Sequence, residues 1–142
     1  MKEAAQLKNI ISQSIISFGA VSEEEWDYKP QPERWSKKEI LGHLCDSAMN
    51  NIRRFVVSQY EQNNKIVYKQ NEWVSSQSYQ DVNCNDIIAL WKLLNEQAAR
   101  IIDKIPADKL QNTCITDTER TLQFLIEDYI AHLNHHLSQI LN

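Results

Sequence analysis

Residues Glu119 to Leu141 read ERTLQFLIEDYIAHLNHHLSQIL and hold three of the four histidines of the chain. Apolar side chains recur there at steps of three and four residues, the period of an α-helix with one buried face. This period predicts a long C-terminal helix, and it puts His132 and His136 one turn apart on a shared face. The apolar positions are Leu122, Leu125, Ile126, Tyr129, Leu133, Leu137 and Ile140.

Three upstream segments show the same period, and each has a recognisable boundary. Gly19 follows the first segment, at a position where glycine commonly ends a helix. Ser36 and Glu39 form a capping-box pattern at the start of the second. Because the chain has only two glycines and three prolines, its composition also favours helices over a β fold. The segments run from about 3 to 18, from 37 to about 59, and from a cap at Asn83 or Asn85 to about 105.

The connections between these helices differ in length. Residues 20–35 contain two prolines and are predicted to be a loop, which Trp26, Tyr28 and Trp35 hold against the bundle. Residues 60–82 form a long connection with scattered aromatic residues and no helical period. Connections of this length bridge a distance or carry function. A shorter loop precedes the fourth helix.

His43 decides between two ways of connecting the bundle. It lies about seven residues into the second helix, whereas His136 lies about five residues from the end of the fourth. In an up-down-up-down bundle these helices are parallel, and the two histidines lie at opposite ends. A crossover between helices 2 and 3 makes helices 2 and 4 antiparallel and brings the histidines together. We therefore predict an all-α fold and a single domain, residues 1–142: a four-helix bundle in up-down-down-up order, with residues 60–82 as the long crossover.

Composition and charge exclude several classes of function. The net charge of −4 and the pI of about 5.5 argue against non-specific nucleic-acid binding, which needs clustered basic residues. No apolar run approaches the length of a membrane span. Cys45, Cys84 and Cys114 are odd in number and widely spaced, so a disulfide framework is not expected and a reducing cytoplasm is. Cys45 is expected to be a buried structural thiol.

The histidines themselves indicate a metal site. Two imidazoles at positions i and i+4 can bind one ion, although a pair near a helix C-terminus is by itself a moderate signal. His43 is the candidate third ligand for His132 and His136, and His135 is expected to point away from them. Three neutral imidazoles leave a coordination position open, which is typical of catalytic sites. We expect one divalent ion, zinc or nickel first, with iron or manganese as alternatives.

Other residues are candidates for supporting roles. Asp46, Asp128 and Gln139 each lie three or four residues from one of the histidines, a spacing that lets them orient a ring or a bound water. For the carboxylates, the commoner alternative is an ordinary exposed helix residue. Trp35 and Trp73 are candidates for lining a substrate cleft, although such tryptophans are more often core or loop anchors. No catalytic base is identified.

The chain resembles the DinB/YfiT-like metalloenzyme superfamily. The resemblance covers most of the chain and implies a crossover four-helix bundle that commonly dimerises. It also implies a divalent metal held by His43, His132 and His136. Some members are thiol transferases that act with low-molecular-weight thiols, others resemble metal-dependent hydrolases, and many have no known activity. The resemblance rests on Trp35-Ser36-x-x-Glu39-Ile40-Leu41-Gly42-His43-Leu44-x-Asp46 and on Tyr129-x-x-His132-x-x-x-His136-x-x-Gln139-Ile140.

Three functions remain open at this point. The first is a metal-dependent enzyme, a thiol (S-) transferase or a hydrolase, that acts on a small-molecule substrate and forms a homodimer. The second is a non-catalytic module that binds a metal or a small ligand. The third is a helical interaction protein in which the histidines are incidental. Nucleic-acid and membrane partners are not expected.

Overall fold

The computed structural model describes residues 1–142 and contains six α-helices and one small sheet. Two short helices lie in the connections, and short 3₁₀ turns cover Tyr79–Asp81 and Ala107–Lys109. The four bundle helices are α1 (Lys2–Phe18), α3 (Lys37–Val57), α5 (Cys84–Lys104) and α6 (Leu122–Leu141). The other elements are α2 (Glu23–Asp27), α4 (Gln70–Gln77), β1 (Asn64–Lys65), β2 (Thr113–Ile115) and β3 (Glu119–Thr121).

The predicted up-down-down-up order is confirmed by contacts at the helix ends. The amino group of Met1 lies 2.8 Å from Asp103 Oδ1, so the start of α1 meets the end of α5. Gln123 Nε2 donates to Glu3 Oε1, so α1 and α6 start side by side. α3 packs against both α5 and α6, and α1 packs against the same two helices. The start of α3 lies beside the end of α6, because His43 Nε2 is 3.5 Å from His132 Nε2.

Aromatic packing anchors one end of the core. The ring of Phe18 meets Trp26 and Trp91 edge-on, with centroids 5.5 and 5.2 Å away. Trp26 is therefore buried and holds the first connection to the bundle, as predicted. The prediction was wrong for Tyr28, whose side chain is 68% exposed. Trp35 is half-buried.

Three features of the connections differ from the sequence-based prediction. Residues 23–27 form a short helix whose capping box joins Ser22 and Glu25, within a segment predicted to be a loop. The crossover contains α4, a short helix with a single buried residue and hence no visible period. The connection before α6 is not a plain loop, because β2 pairs with β1 in parallel and with β3 antiparallel.

The helix boundaries follow from local capping. At the start of α3, Ser36 Oγ accepts from the Glu39 amide and Glu39 Oε1 accepts from the Ser36 amide, which is the predicted capping box. α6 begins at Leu122 rather than near Glu119, because Thr121 Oγ1 accepts from the Phe124 amide and ends the strand there. No helix in the structure combines the length and the apolar character needed to cross a membrane.

The cysteines are all unpaired, as their spacing predicted. Cys45 is completely buried, and its thiol points to the carbonyl oxygen of Ile87 at 3.8 Å. Burial raises the pKa of this thiol well above its usual range. Cys45 thus belongs to the contact between α3 and α5, where it acts as a small apolar residue.

The crossover returns to α3 at Gly42, where the ring of Tyr79 lies directly on the helix. A Cβ atom at Gly42 would approach Tyr79 Cδ2 to 2.2 Å and Cγ to 2.4 Å. These atoms belong to the rigid ring, so a methyl group there displaces the whole side chain. Glycine is required at this position for packing, since α3 is regular around it.

Replacing Gly42 with alanine is expected to lower the free energy of unfolding by about 1–3 kcal/mol, the usual cost of overfilling a packed site. The better helix propensity of alanine, worth about 1 kcal/mol, offsets only part of this loss. Thermal unfolding should show a Tm several degrees below that of the wild type. Gly19→Ala is the matched control, because the new Cβ lies 3.3 Å from the Ile16 carbonyl oxygen in ordinary helical backbone. Equal Tm values for the two variants would contradict the packing argument.

Candidate metal centre

Three imidazole rings meet where the start of α3 lies beside the end of α6. His43 is fully buried, and its Nε2 lies 3.5 Å from His132 Nε2. His136, one turn further along α6, places its Nε2 3.1 Å from the same atom. One nitrogen from each ring therefore belongs to a group whose atoms all lie within 4.8 Å of one another. His135 is exposed and remains outside this group.

The spacing of these nitrogens suits a metal ion. Zinc binds imidazole nitrogen at about 2.0–2.1 Å in a tetrahedral arrangement, which separates two such nitrogens by about 3.3 Å. Two of the three separations, 3.1 and 3.5 Å, lie on either side of that value, and the third is no more than 4.8 Å. The cluster contains three nitrogens and no carboxylate, a donor set suited to zinc, nickel, copper or iron. The residues present therefore fit a divalent ion.

Burial keeps the His43 and His132 rings neutral. It lowers the pKa of His43 from 6.5 to about 3, and the neighbouring His136 and His132 rings add to the effect. Burial also lowers the pKa of His132, with a further contribution from His136, while the charge of Asp128 opposes the shift. At neutral pH each of these two rings therefore has one nitrogen with a lone pair and one that carries a proton. Neutral imidazole is the form that binds a metal cation.

The three polar residues predicted to support the site have different surroundings. Gln139 Oε1 lies 2.8 Å from His136 Nδ1 and can accept a hydrogen bond from it. This hydrogen bond leaves Nε2 of the His136 ring free to face a metal ion. Asp46 is completely buried and makes no hydrogen bond to a histidine. Asp128 is exposed and acts on His132 only through its charge.

A cavity of about 670 Å³ opens beside the histidines. Trp35 forms one wall and also packs on the His43 ring, with centroids 5.0 Å apart and planes inclined by 33°. Trp73 does not line this cavity and lies against Tyr68 instead, 5.9 Å between centroids. The remaining lining residues were not identified from the sequence, because they come from three separate segments: the first connection, the start of α3 and the crossover. They are Glu25, Tyr28, Pro30, Glu33, Arg34, Lys37, Ile40, Gln70 and Asn71, beside His136 and Gln139.

Comparison with known proteins gives the family of the chain. The sequence pattern of the DinB superfamily matches residues 7–140. The chain belongs to this superfamily. No curated protein matches the sequence.

Solved structures with this fold include two proteins of Bacillus subtilis. YfiT, described as "a probable metal-dependent hydrolase with an unusual four-helix bundle topology", has a TM-score of 0.87 and 19% identity, over 98% of this chain and 82% of its own. The DinB-like protein YjoA has a TM-score of 0.69 and 16% identity, over 99% of this chain and 88% of its own.

A third similar structure is a mycothiol-dependent maleylpyruvate isomerase, with a TM-score of 0.70 and 12% identity. The match covers 92% of this chain and 57% of the isomerase, so this chain spans little more than half of that enzyme. At these identities the likeness concerns the fold alone.

The buried His43 ring makes stability depend on pH in the absence of metal. Because folding lowers its pKa to about 3, the unfolded chain binds a proton between about pH 6.5 and pH 3 that the folded chain does not. The free energy of unfolding should therefore fall as the pH falls through this window. Urea unfolding in the presence of a chelator, at about pH 7 and about pH 5, measures the change.

In a His43→Gln variant the decrease between these two pH values should be smaller than in the wild type. The exposed His135 provides the control, since a His135→Gln variant should retain the wild-type pH dependence. If wild type and His43→Gln lose the same free energy on acidification, His43 is not held neutral in the fold.

Proposed function

We propose that this protein is a metal-dependent enzyme, a thiol (S-) transferase or a hydrolase, that acts on a small-molecule substrate. The proposed metal ligands are His43, His132 and His136. The observation that carries the proposal is the convergence of three ring nitrogens beside a cavity that His136 also lines. Because the cavity and the nitrogens share this histidine, a molecule in the cavity lies next to the position of an ion.

Two similar structures favour a metal-dependent hydrolase and a reaction that involves a small thiol, respectively. YfiT is described as a probable metal-dependent hydrolase, and the dependence of the isomerase on mycothiol favours a low-molecular-weight thiol as a reactant. A divalent ion bound by three neutral imidazoles supplies Lewis acidity at an open position and can activate either a water or a thiol. We expect zinc or nickel first, with iron or manganese as alternatives. Imidazole alone does not select among these ions, so metal analysis has to identify the one present.

The residues of the chain would contribute binding and orientation. Gln139 accepts from His136 Nδ1 and so fixes the ring with Nε2 towards the other two histidines. Trp35 covers the buried His43 ring on one side and offers an indole face to a ligand in the cavity. Arg34 and Lys37 line the same cavity and form no ion pair, so they can receive polar groups of a substrate.

A non-catalytic metal-binding or small-ligand-binding module is the second candidate. The observation in its favour is the shortage of carboxylates for proton transfer near the histidines. Asp46 is engaged with Tyr79 and Gln77, Asp128 is exposed, and Glu25 is part of the capping box of α2. A hydrolase of this kind would take its proton acceptor from the substrate, from Glu33 or from solvent.

We also propose that the protein is a cytoplasmic homodimer. Its unpaired cysteines suit a reducing compartment. A partner copy could cover apolar side chains that α1 and α5 expose, namely Ile16, Leu90 and Leu93. Light scattering over a range of concentrations should give twice the chain mass, and the monomer mass at high concentration would refute the dimer.

Elemental analysis of the purified protein tests the metal site. The wild type should contain about one divalent ion per chain, and His43→Ala and His136→Ala should contain much less, because two imidazoles bind an ion far more weakly than three. His135→Ala is the matched control, since it removes an exposed histidine from the same turn of α6. Wild-type protein that stays free of metal after incubation with zinc, nickel or manganese would refute the proposal.

A substrate screen then separates enzyme from binding module. Metal-loaded protein is mixed with pairs of a low-molecular-weight thiol and an electrophile, and separately with esters and amides. Turnover that the His132→Ala variant lacks would support the enzyme. Tight binding of a small molecule without turnover would support the module, and full activity in the absence of metal would refute metal dependence.

A further inference from the structure

The buried Asp46 carboxylate is partnered on one oxygen only. Its Oδ1 accepts from the Tyr79 hydroxyl at 2.6 Å and from Gln77 Nε2 at 2.9 Å. Its Oδ2 is buried and has no hydrogen-bond partner. A buried carboxylate oxygen without a donor is costly, so such an atom calls for an explanation.

A second unpartnered atom lies one helical turn away. His43 turns its Nε2 towards His132, and its Nδ1 is buried without a partner. Only one other buried side-chain atom in the chain, Trp91 Nε1, shares this condition. Two of the three unpartnered atoms therefore belong to residues spaced i and i+3 on α3, where side chains share a face and Cβ atoms are about 5–6 Å apart.

The two atoms are chemically complementary. If His43 binds an ion through Nε2, the neutral ring must carry its proton on Nδ1, which becomes a hydrogen-bond donor. Asp46 Oδ2 is an acceptor. The two atoms are not hydrogen-bonded to each other in the structure, and each lies two bonds beyond its own Cβ, so a rotation of either side chain or one water molecule can join them.

We propose that Asp46 is the positioning residue for His43, and that the crossover holds Asp46 in place for this role. This inference rests on the proposed metal site. With an ion on Nε2, the Nδ1–H group of His43 donates a hydrogen bond to Asp46 Oδ2, directly or through one water molecule. Tyr79 and Gln77 fix the carboxylate through Oδ1 and so leave Oδ2 for the histidine.

The crossover makes several contacts with α3 and the first connection around this carboxylate. The Tyr79 ring rests on Gly42, the residue just before His43. The next residue, Gln80, accepts from Ser36 Oγ at 2.7 Å and donates to the Asp27 carbonyl oxygen at 2.7 Å. The same short segment thus contacts α3 before and after His43, which makes it a rigid support for Asp46.

Tyr79→Phe is the informative variant, because it removes the hydroxyl that holds Asp46 and keeps the ring on Gly42. Zinc affinity, measured by competition with a chelator, should fall about tenfold for Tyr79→Phe and about 10- to 100-fold for Asp46→Asn, the usual range for partners of a ligand histidine. Tyr129→Phe is the matched control. It also removes a buried tyrosine hydroxyl, one that donates to Asn95 Oδ1 at 2.5 Å, and it should lower Tm without changing zinc affinity.

Nitrogen–proton correlation spectra of the histidine rings provide a second readout. In the zinc-bound wild type, the His43 proton should be on Nδ1 and protected from exchange, and the Tyr79→Phe variant should exchange it faster. Unchanged affinity and unchanged exchange in both Tyr79→Phe and Asp46→Asn would overturn the inference and leave the metal site standing. A wild type that binds neither zinc nor nickel would overturn the proposed function, and the inference with it.

Discussion

Because α3 and α6 run antiparallel, the first turns of one helix lie beside the last turns of the other, and the candidate site exists only at that junction. His43 and His132 are 89 residues apart in sequence, yet their Nε2 atoms are 3.5 Å apart. In an up-down-up-down bundle the same side chains would be separated by most of the length of a helix. The long crossover is therefore the connection that makes a three-histidine cluster geometrically accessible to this sequence.

The helical frame could be predicted from the sequence because its signals are local. The capping box at Ser36 and the apolar period of α6 each depend on residues within one or two turns. The order of the helices also followed, because only the crossover topology lets His43 share a site with His132 and His136, and the segment 60–82 is long enough to be that crossover. The strands could not be predicted in the same way, because each has two or three residues and its partner lies far along the chain, as Asn64 and Cys114 do.

The site was predictable in part for the same reason. The i, i+4 spacing of His132 and His136 and the local position of Gln139 are properties of one helix, and they were visible in the sequence. The environment of Asp46 was not, because its partners Tyr79 and Gln77 come from the crossover. Gly42 is the one local sign that the crossover packs against α3. A glycine in a helix does not, however, reveal that the ring of Tyr79 lies against it. Trp73 was predicted to line the substrate cleft, because it is an aromatic residue in the crossover. It lines a separate surface pocket instead, and the sequence gives no sign of this difference.

The small sheet affects how the cavity beside the histidines can open. α4 supplies Gln70 and Asn71 to one wall. The crossover that contains α4 is held at both ends, by the pairing of β1 with β2 and by the packing of the Tyr79 ring on Gly42 of α3. A segment that is held at both ends cannot move as a hinged lid. The two walls are therefore held in different ways: the crossover by backbone pairing and a packed ring, and residues 28–35 by side-chain contacts that include the Lys29–Glu39 ion pair and the packing of Trp35 on His43.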